Sequence, residues 1–386
     1  MISADRKILE EGSTVRKRMA FYAEACEELH IIVFTRRNFQ FSIFNFQKVP
    51  KIQISKNCWA YPTNSLSRWF YIFDAIHIGK STVKGQLSKA NYFVVSCQDP
   101  FLTGLVGWRL AKKLAIPLEF QVHTDFLSPY FRAESFFNRL RVLIARFLLP
   151  RADGVRVVSK RIRDSLIHDS RFTIHDSKIT VLPVFVGTGK IKKFPVSVDL
   201  RKKYNQFSCI ALVISRLSRE KNIMQAFRAF QESIKKIPDA GLVVVGDGPE
   251  RERLERFVAV SGLGDRVIFE GWSEDVFSYY KTADLFLLTS RYEGYGRSLV
   301  EAAAAGCAII STDVGVASEI LPEADTLPVG DGAVFSSRLS VLLGDQRERR
   351  ANREYSASHL SAVTFPSKEK FLESFRYSLA SLRVKS

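Results

Sequence analysis

The chain has 386 residues, room for two domains of ordinary size, and its 46% hydrophobic and 25% charged content excludes an intrinsically disordered chain. Its net charge of +17 is lopsided: residues 1–195 hold 31 Lys and Arg against 15 Asp and Glu, a net of +16, and residues 196–386 hold 26 against 25. A cationic first half calls for an anionic partner (nucleic acid, an acidic membrane surface or an anionic substrate), with general surface solvation as the plain alternative.

In chain order, only MIS precedes the polar ADRKILEEGS, so the first strand is expected to be very short, or residues upstream to be missing from the chain. Helical patterns cover 14–29 and 134–148. Apolar runs predict strands at HIIVFT (30–35), YFVVSC (92–97), LEFQVH (118–123), GVRVVS (154–159) and ITVLPV (179–184). The stretch 186–204 is rich in Gly, Pro and Lys without periodicity and reads as a linker. Strands are predicted again at CIALVIS (209–215), GLVVVG (241–246), RVIFEG (266–271), LFLLTS (285–290) and CAIIST (307–312). A last helix begins after Pro366 and is expected on the outside of the fold.

Short apolar runs alternating with amphipathic segments indicate an α/β protein with parallel sheets. Two such sets predict two doubly wound, Rossmann-like domains, 1–190 and 205–365, with a linker at 191–204 and a C-terminal helix at 366–386. In such a pair the ligand site lies at the carboxyl ends of the strands, facing a cleft. The five cysteines are scattered without C-x-x-C spacing, which suggests buried thiols in a reducing cytoplasm rather than zinc or disulfides. The longest apolar stretches fall well short of the ~18 residues that span a bilayer, and the N-terminus lacks a signal-peptide core. Membrane contact is therefore expected to be peripheral, on the cytoplasmic face.

Chemistry concentrates in the second half. SRYEGYGRSLVEAAAAG (290–306) follows a predicted strand and places Tyr295 between Gly294 and Gly296, a loop whose backbone can approach a ligand. The helix that follows offers free amides and a positive dipole end to an anion. Glu293 and Glu301 flank the loop, and a carboxylate can accept two hydroxyl donors at once. ISRLSREKN (214–222) sends Arg216 and Lys221 from the end of another strand, a planar fork and a point charge suited to a departing diphosphate. VVVGDGPERERL (243–254) and the Gly271–Trp272 turn continue the pattern, the latter where a base pocket would close.

Together these pieces resemble family 4 retaining glycosyltransferases of the GT-B fold, whose C-terminal domain residues 207–321 match in motif order and spacing, above all in E-G-Y-G-R-S-L-V-E. The resemblance implies that Arg216 and Lys221 hold the diphosphate of a nucleotide-sugar, that the 294–296 loop contacts phosphate and sugar, that Glu293 meets sugar hydroxyls and that Glu301 takes the ribose diol. Arg297 adds charge beside the phosphate loop, and Gly-Val-Ala-Ser-Glu (315–319) departs from the usual paired glycine, leaving Glu319 without an assigned role. In the first half, EEGSTVRKRM (10–19) resembles the family's cleft-crossing loop, with Gly12 and Ser13 near donor or acceptor and Arg16 and Arg18 facing an anionic acceptor or solvent. His123 matches the histidine that contacts the transferred sugar, with Asp99 and Asp125 as weaker strand-end candidates.

No D-x-D occurs, so no metal and no other cofactor is expected beyond the nucleotide-sugar co-substrate. The expected reaction moves a hexose or N-acetylhexosamine, with retention, to a hydroxyl of a lipid-linked or polysaccharide acceptor. Segment 128–151, with Arg and Phe interleaved, is the candidate contact with an anionic membrane; a core helix with an Arg-rich solvent face is the alternative. A nucleic-acid-binding protein would explain the charge and leave the carboxylates idle, and a nucleotide-sugar epimerase or inactive relative would share the donor motifs.

Overall fold

The computed structural model describes residues 1–37, 51–86 and 92–382, and divides into two units, Met1–Leu182 with Lys368–Ser386, and Pro183–Ser367. Among the described residues of the first unit, eight strands form one sheet: β1 (Ile2–Ser3), β2 (Leu29–Val33), β3 (Ile52–Ser55), β4 (Cys58–Pro62), β5 (Val95–Cys97), β6 (Leu118–Val122), β7 (Gly154–Val157) and β8 (Ile179–Val181). Their order is β3-β4-β2-β1-β5-β6-β7-β8, parallel except where β3 runs against β4. The two-residue β1 sits mid-sheet, between β2 and β5, so the chain winds outward from it on both sides.

In the second unit, β9 (Cys209–Ile214), β10 (Ala240–Val245), β11 (Val267–Gly271), β12 (Leu285–Leu288), β13 (Ala308–Thr312) and β14 (Thr326–Leu327) form a parallel sheet in the order β11-β10-β9-β12-β13-β14. Every residue of β10, β12 and β13 is buried, which explains their unbroken apolar runs: helices cover both faces of such a sheet. The helix Ile223–Ser233 supplies Ile223, Ala226, Phe227 and Phe230, at i, i+3, i+4 and i+7, to the core behind β9 and β10. The winding reverses between β9 and β12, and in an open α/β sheet that switch point opens a crevice at the strands' carboxyl ends.

All ten apolar runs contain strands, while β3, β4 and β14 are additions. The segment 191–204 is packed rather than extended: it holds parts of two short helices, Thr188–Lys193 and Leu200–Lys203, within the second unit. There the Lys281 ammonium donates to Phe194 O at 2.6 Å, and Arg201 pairs with the buried Asp284. The last helix, Lys368–Ala380, does not sit loosely outside. Its Phe371 and Phe375 rings lie 6.0 and 5.3 Å from Tyr22, so an apolar stripe seals it onto the first unit. The end of the expected helix, 383–386, lies outside the described residues.

Candidate functional site

The loops that leave β9 and β12 meet at the second unit's switch point. After β9 the chain turns through Arg216, forms a 3-10 turn over Arg219–Lys221, and enters the next helix through Asn222 in the left-handed region (φ 50°). Hydrogen bonds join this loop to its neighbours: Leu217 N donates to Asp247 O at 2.9 Å, Glu250 N to Leu217 O at 2.9 Å, and Gly246 N to Gly271 O at 2.7 Å. Gly246 is required here twice over, by its φ of +132° and because a Cβ would stand 1.9 Å from Ser215 O.

Lys221 and Glu293, 72 positions apart, are an ion pair: Nζ lies 2.5 Å from Oε1, which also accepts from Ser290 Oγ at 2.8 Å. The backbones are pinned as well, Thr289 Oγ1 donating to Lys221 O at 3.1 Å and Arg291 N to Glu220 O at 2.7 Å. Both side chains remain partly open, 22% and 15% exposed, so a ligand can reach the pair. Arg216, on the same loop, is exposed.

Glu301 lies on the helix Arg297–Ala305 and is 8% exposed. Burial raises its pKa, opposed by Arg297, whose Nε donates to Oε1 at 2.7 Å. Arg297 thereby shares its charge with Glu301, while its side chain stays 58% exposed beside the glycine loop. The Tyr295 side chain turns inward. It is 4% exposed, and its hydroxyl donates to Val363 O at 2.5 Å, so only backbone is left to face a ligand. Gly296 (φ +83°) opens the helix, and a Cβ on Gly315 would stand 2.4 Å from Tyr295 O, so the 313–316 turn braces the glycine loop from behind. Trp272 is 70% exposed beside Gly271 (φ +75°), and Glu319 sits half-buried in the short helix Ala317–Ile320.

In the first unit, Gly12 (φ +78°) has open space around it, so the turn, not a close approach, requires it. Ser13 caps the helix Thr14–Ala23: its Oγ accepts from Arg16 N at 3.0 Å and donates to Lys7 O at 2.5 Å. That use, and the bonds from the Arg16 guanidinium to Leu9 O (3.3 Å) and Gln53 O (3.0 Å), make both residues builders of the loop rather than free contacts. Arg18 is exposed. Asp99 accepts from Phe101 N at 2.8 Å ahead of the helix Leu102–Leu114, a structural role, and burial raises its pKa as it does that of Asp125.

His123 follows β6 and exposes more than a third of its surface. Even so, desolvation by the surrounding protein and the Arg156 and Arg18 cations lower its pKa, which favours the neutral ring at neutral pH. Nε2 lies 3.0 Å from Gln121 Oε1, the end of a buried polar run through Ser96 and Glu119. The signal for those residues in the sequence is faint: Glu119, Gln121 and His123 alternate along an otherwise apolar strand. Among the described residues no group of three or more His, Cys, Asp or Glu is placed to hold a metal, and no helix is long and apolar enough to cross a membrane.

Residues 200–359 match the family model described as glycosyl transferases group 1, and residues 30–190 that of glycosyltransferase family 4. The alpha-monoglucosyldiacylglycerol synthase of Acholeplasma laidlawii is 27% identical over 266 residues, 65% of either chain. The N-acetyl-alpha-D-glucosaminyl L-malate synthase of Bacillus anthracis is 30% identical over 213 residues, 54% of either. The chain thus spans about half to two thirds of the length of the curated relatives it matches. Among solved structures, HepE of Anabaena in complex with UDP superposes with a TM-score of 0.75 at 17% identity, covering 98% of both chains. Sucrose-phosphate synthase of Thermosynechococcus elongatus does so at 0.74 and 22%, covering 96% of this chain and 93% of its own.

Proposed function

The chain belongs to the family 4 glycosyltransferases of the GT-B fold, and from that membership we propose that it transfers a hexose or N-acetylhexosamine, with retention, from a nucleoside-diphosphate sugar to an acceptor hydroxyl. The observation that carries this reading is the Lys221–Glu293 pair at the β9/β12 switch point, with Arg216 on the same loop and Glu301 on the helix behind. As the bond from the sugar's anomeric carbon to the diphosphate breaks, negative charge grows on the leaving oxygen. Arg216 and Lys221 neutralise it, Lys221 swinging part of its charge from Glu293 to the phosphate. The acceptor oxygen bonds to the same face of that carbon, and its proton passes to the departing phosphate. Glu293 holds sugar hydroxyls, Glu301 the ribose diol, and backbone amides of the 294–296 loop the phosphate or sugar. His123 contacts the transferred sugar. The cationic work is thus assigned to Arg216 and Lys221, with no metal.

Thermal stabilisation by UDP-, GDP- and ADP-sugars tests the donor site: one of them at about 100 times its Kd should add ~2.7 kcal/mol. Lys221→Ala should keep most of that stabilisation yet slow transfer on the order of 10²-fold or more, the scale of losing one preorganised charge contact. Stabilisation by no nucleotide-sugar, or full turnover in the variant, would overturn the assignment.

The acceptor side is read from the first unit's surface. The helices Tyr71–Lys84, Leu102–Leu114 and Phe136–Leu148 pack side by side. They and their approaches expose Trp69 (87%), Phe73 (70%), Phe136 (74%), Phe137 (71%) and Leu143 (58%). Over 68–84, 102–114 and 129–151 there are 11 Lys and Arg against 2 Asp and Glu. Exposed aromatics framed by cations suit an anionic lipid bilayer, and a lipid-linked acceptor presented at such a surface. These features support the reading of the chain as a peripheral protein of the cytoplasmic membrane face.

A further inference from the structure

Side chains alternate along a strand, so Glu119 and Gln121 of β6 share a face with His123 just beyond it. Ser96 stands opposite Glu119 on β5, and Arg156 opposite Gln121 on β7. Glu119 and Gln121 are 2% and 1% exposed, yet their polar atoms form one unbroken run to the surface. Ser96 Oγ lies 2.5 Å from Glu119 Oε2, Gln121 Nε2 lies 2.7 Å from Ser96 Oγ, and His123 Nε2 lies 3.0 Å from Gln121 Oε1.

The direction of this run is forced from its buried end. A carboxylate only accepts. Glu119 is held as an ion pair by Arg156, whose Nε is 3.6 Å from Oε1 and whose guanidinium lies 4.2 Å over the Phe375 ring of the last helix. Ser96 must therefore spend its single proton on Glu119, and its oxygen accepts from the Gln121 amide. That turns Gln121 Oε1 toward His123, which must supply the proton from Nε2. A flipped amide would take the Ser96 proton and leave two bare acceptors facing each other at the buried end, a costly arrangement.

We propose that Glu119, Ser96 and Gln121 are positioning residues that lock His123 in the Nε2–H tautomer and present Nδ1 as a hydrogen-bond acceptor for a substrate hydroxyl. Among the described residues Nδ1 has no partner of its own. An acceptor there suits a neutral sugar hydroxyl and opposes a carboxylate, so the device selects hexoses over uronic acids. The last clause rests on the proposed sugar contact of His123; the tautomer does not.

Nuclear magnetic resonance of the full chain with nitrogen-labelled histidine, His123 being assigned by its loss in His123→Phe, reads the tautomer directly. An Nε2–H, bare-Nδ1 signature is expected near neutral pH, giving way to a mixture in both Ser96→Ala and Gln121→Met. Two variants are used because either alone risks misfolding. The kcat/KM for the donor should fall on the order of tenfold in Gln121→Met, the worth of about one hydrogen bond, and recover in part in Gln121→Asn. An Nδ1–H signature in the parent chain, or an unchanged tautomer in both variants, would overturn the relay. The expected tautomer together with full turnover in His123→Phe would instead overturn the sugar contact and leave the relay standing.

Discussion

Glu301 is the residue at which function and stability pull apart. Burial raises its pKa above the ordinary 4.5 despite the Arg297 bond, so the folded chain holds the Glu301 proton more firmly than the unfolded chain does. Such a group contributes stability that is complete below its unfolded pKa and is lost as pH rises through the folded one. As pH rises through the folded pKa the chain comes to carry an ionised carboxylate that weakens it and that the proposed ribose contact uses. Glu301→Gln should raise the melting temperature at pH 7 but not near pH 4, while weakening donor binding; calorimetry at both pH values, beside donor titration, checks this. A melting temperature lowered at pH 7 would refute the linkage. The two glutamates were legible in the sequence because strand-end and helix-start positions follow from spacing. Their pairings were not: Lys221 lies 72 residues from the Glu293 it meets, and the inward turn of Tyr295 depends on Val363 and on the Gly315 turn behind it.

At the scale of elements, the site rests on loops that hold one another. The loops after β9, β10 and β11 are linked by backbone hydrogen bonds, and Gly246 lets two of them touch. Gly246→Ala would put a methyl group where Ser215 O stands and strain a φ of +132°. The expected result is a loss of ~1–3 kcal/mol in urea unfolding with a raised donor KM, because Arg216 moves with its loop. Gly332→Ala, in open space at the start of the helix Gly332–Gly344, should change neither KM nor stability for the worse. Equal effects in the two variants would show that loop contact at Gly246 is unimportant. The sheets were legible because strands buried on both faces are written as continuous apolar runs. β3 and β4 were not: IQIS is polar at every second place, and CWAYP is short and ends in proline. The last helix's place was equally hidden, since its stripe of Phe371, Leu372 and Phe375 announces burial without saying against what.

For the whole molecule, the division of charge follows the division of structure. The first unit holds 33 Lys and Arg against 17 Asp and Glu, a net of +16, and the second 24 against 23, a net of +1. On the proposed reading a diphosphate would be met by a few cations placed within a nearly neutral unit, whereas the surplus charge is spread over the unit that exposes Trp69, Phe73, Phe136 and Phe137. These two arrangements respond differently to salt. Raising ionic strength from about 0.1 M to about 1 M shortens the screening length from about 10 Å to about 3 Å, which cuts the attraction of a diffuse surface far more than that of ions in partly buried contact. Binding of the full chain to vesicles containing an anionic phospholipid should therefore fall steeply over that range, while the KM for donor moves little. Phe136→Ser with Phe137→Ser and Leu143→Ser should weaken vesicle binding at low salt as well, because the cations attract the surface and the apolar side chains enter it. The donor KM of that triple variant should match the parent's. Equal binding to wholly uncharged vesicles, or vesicle binding untouched by the triple change, would sink the membrane reading and leave the donor site as it stands.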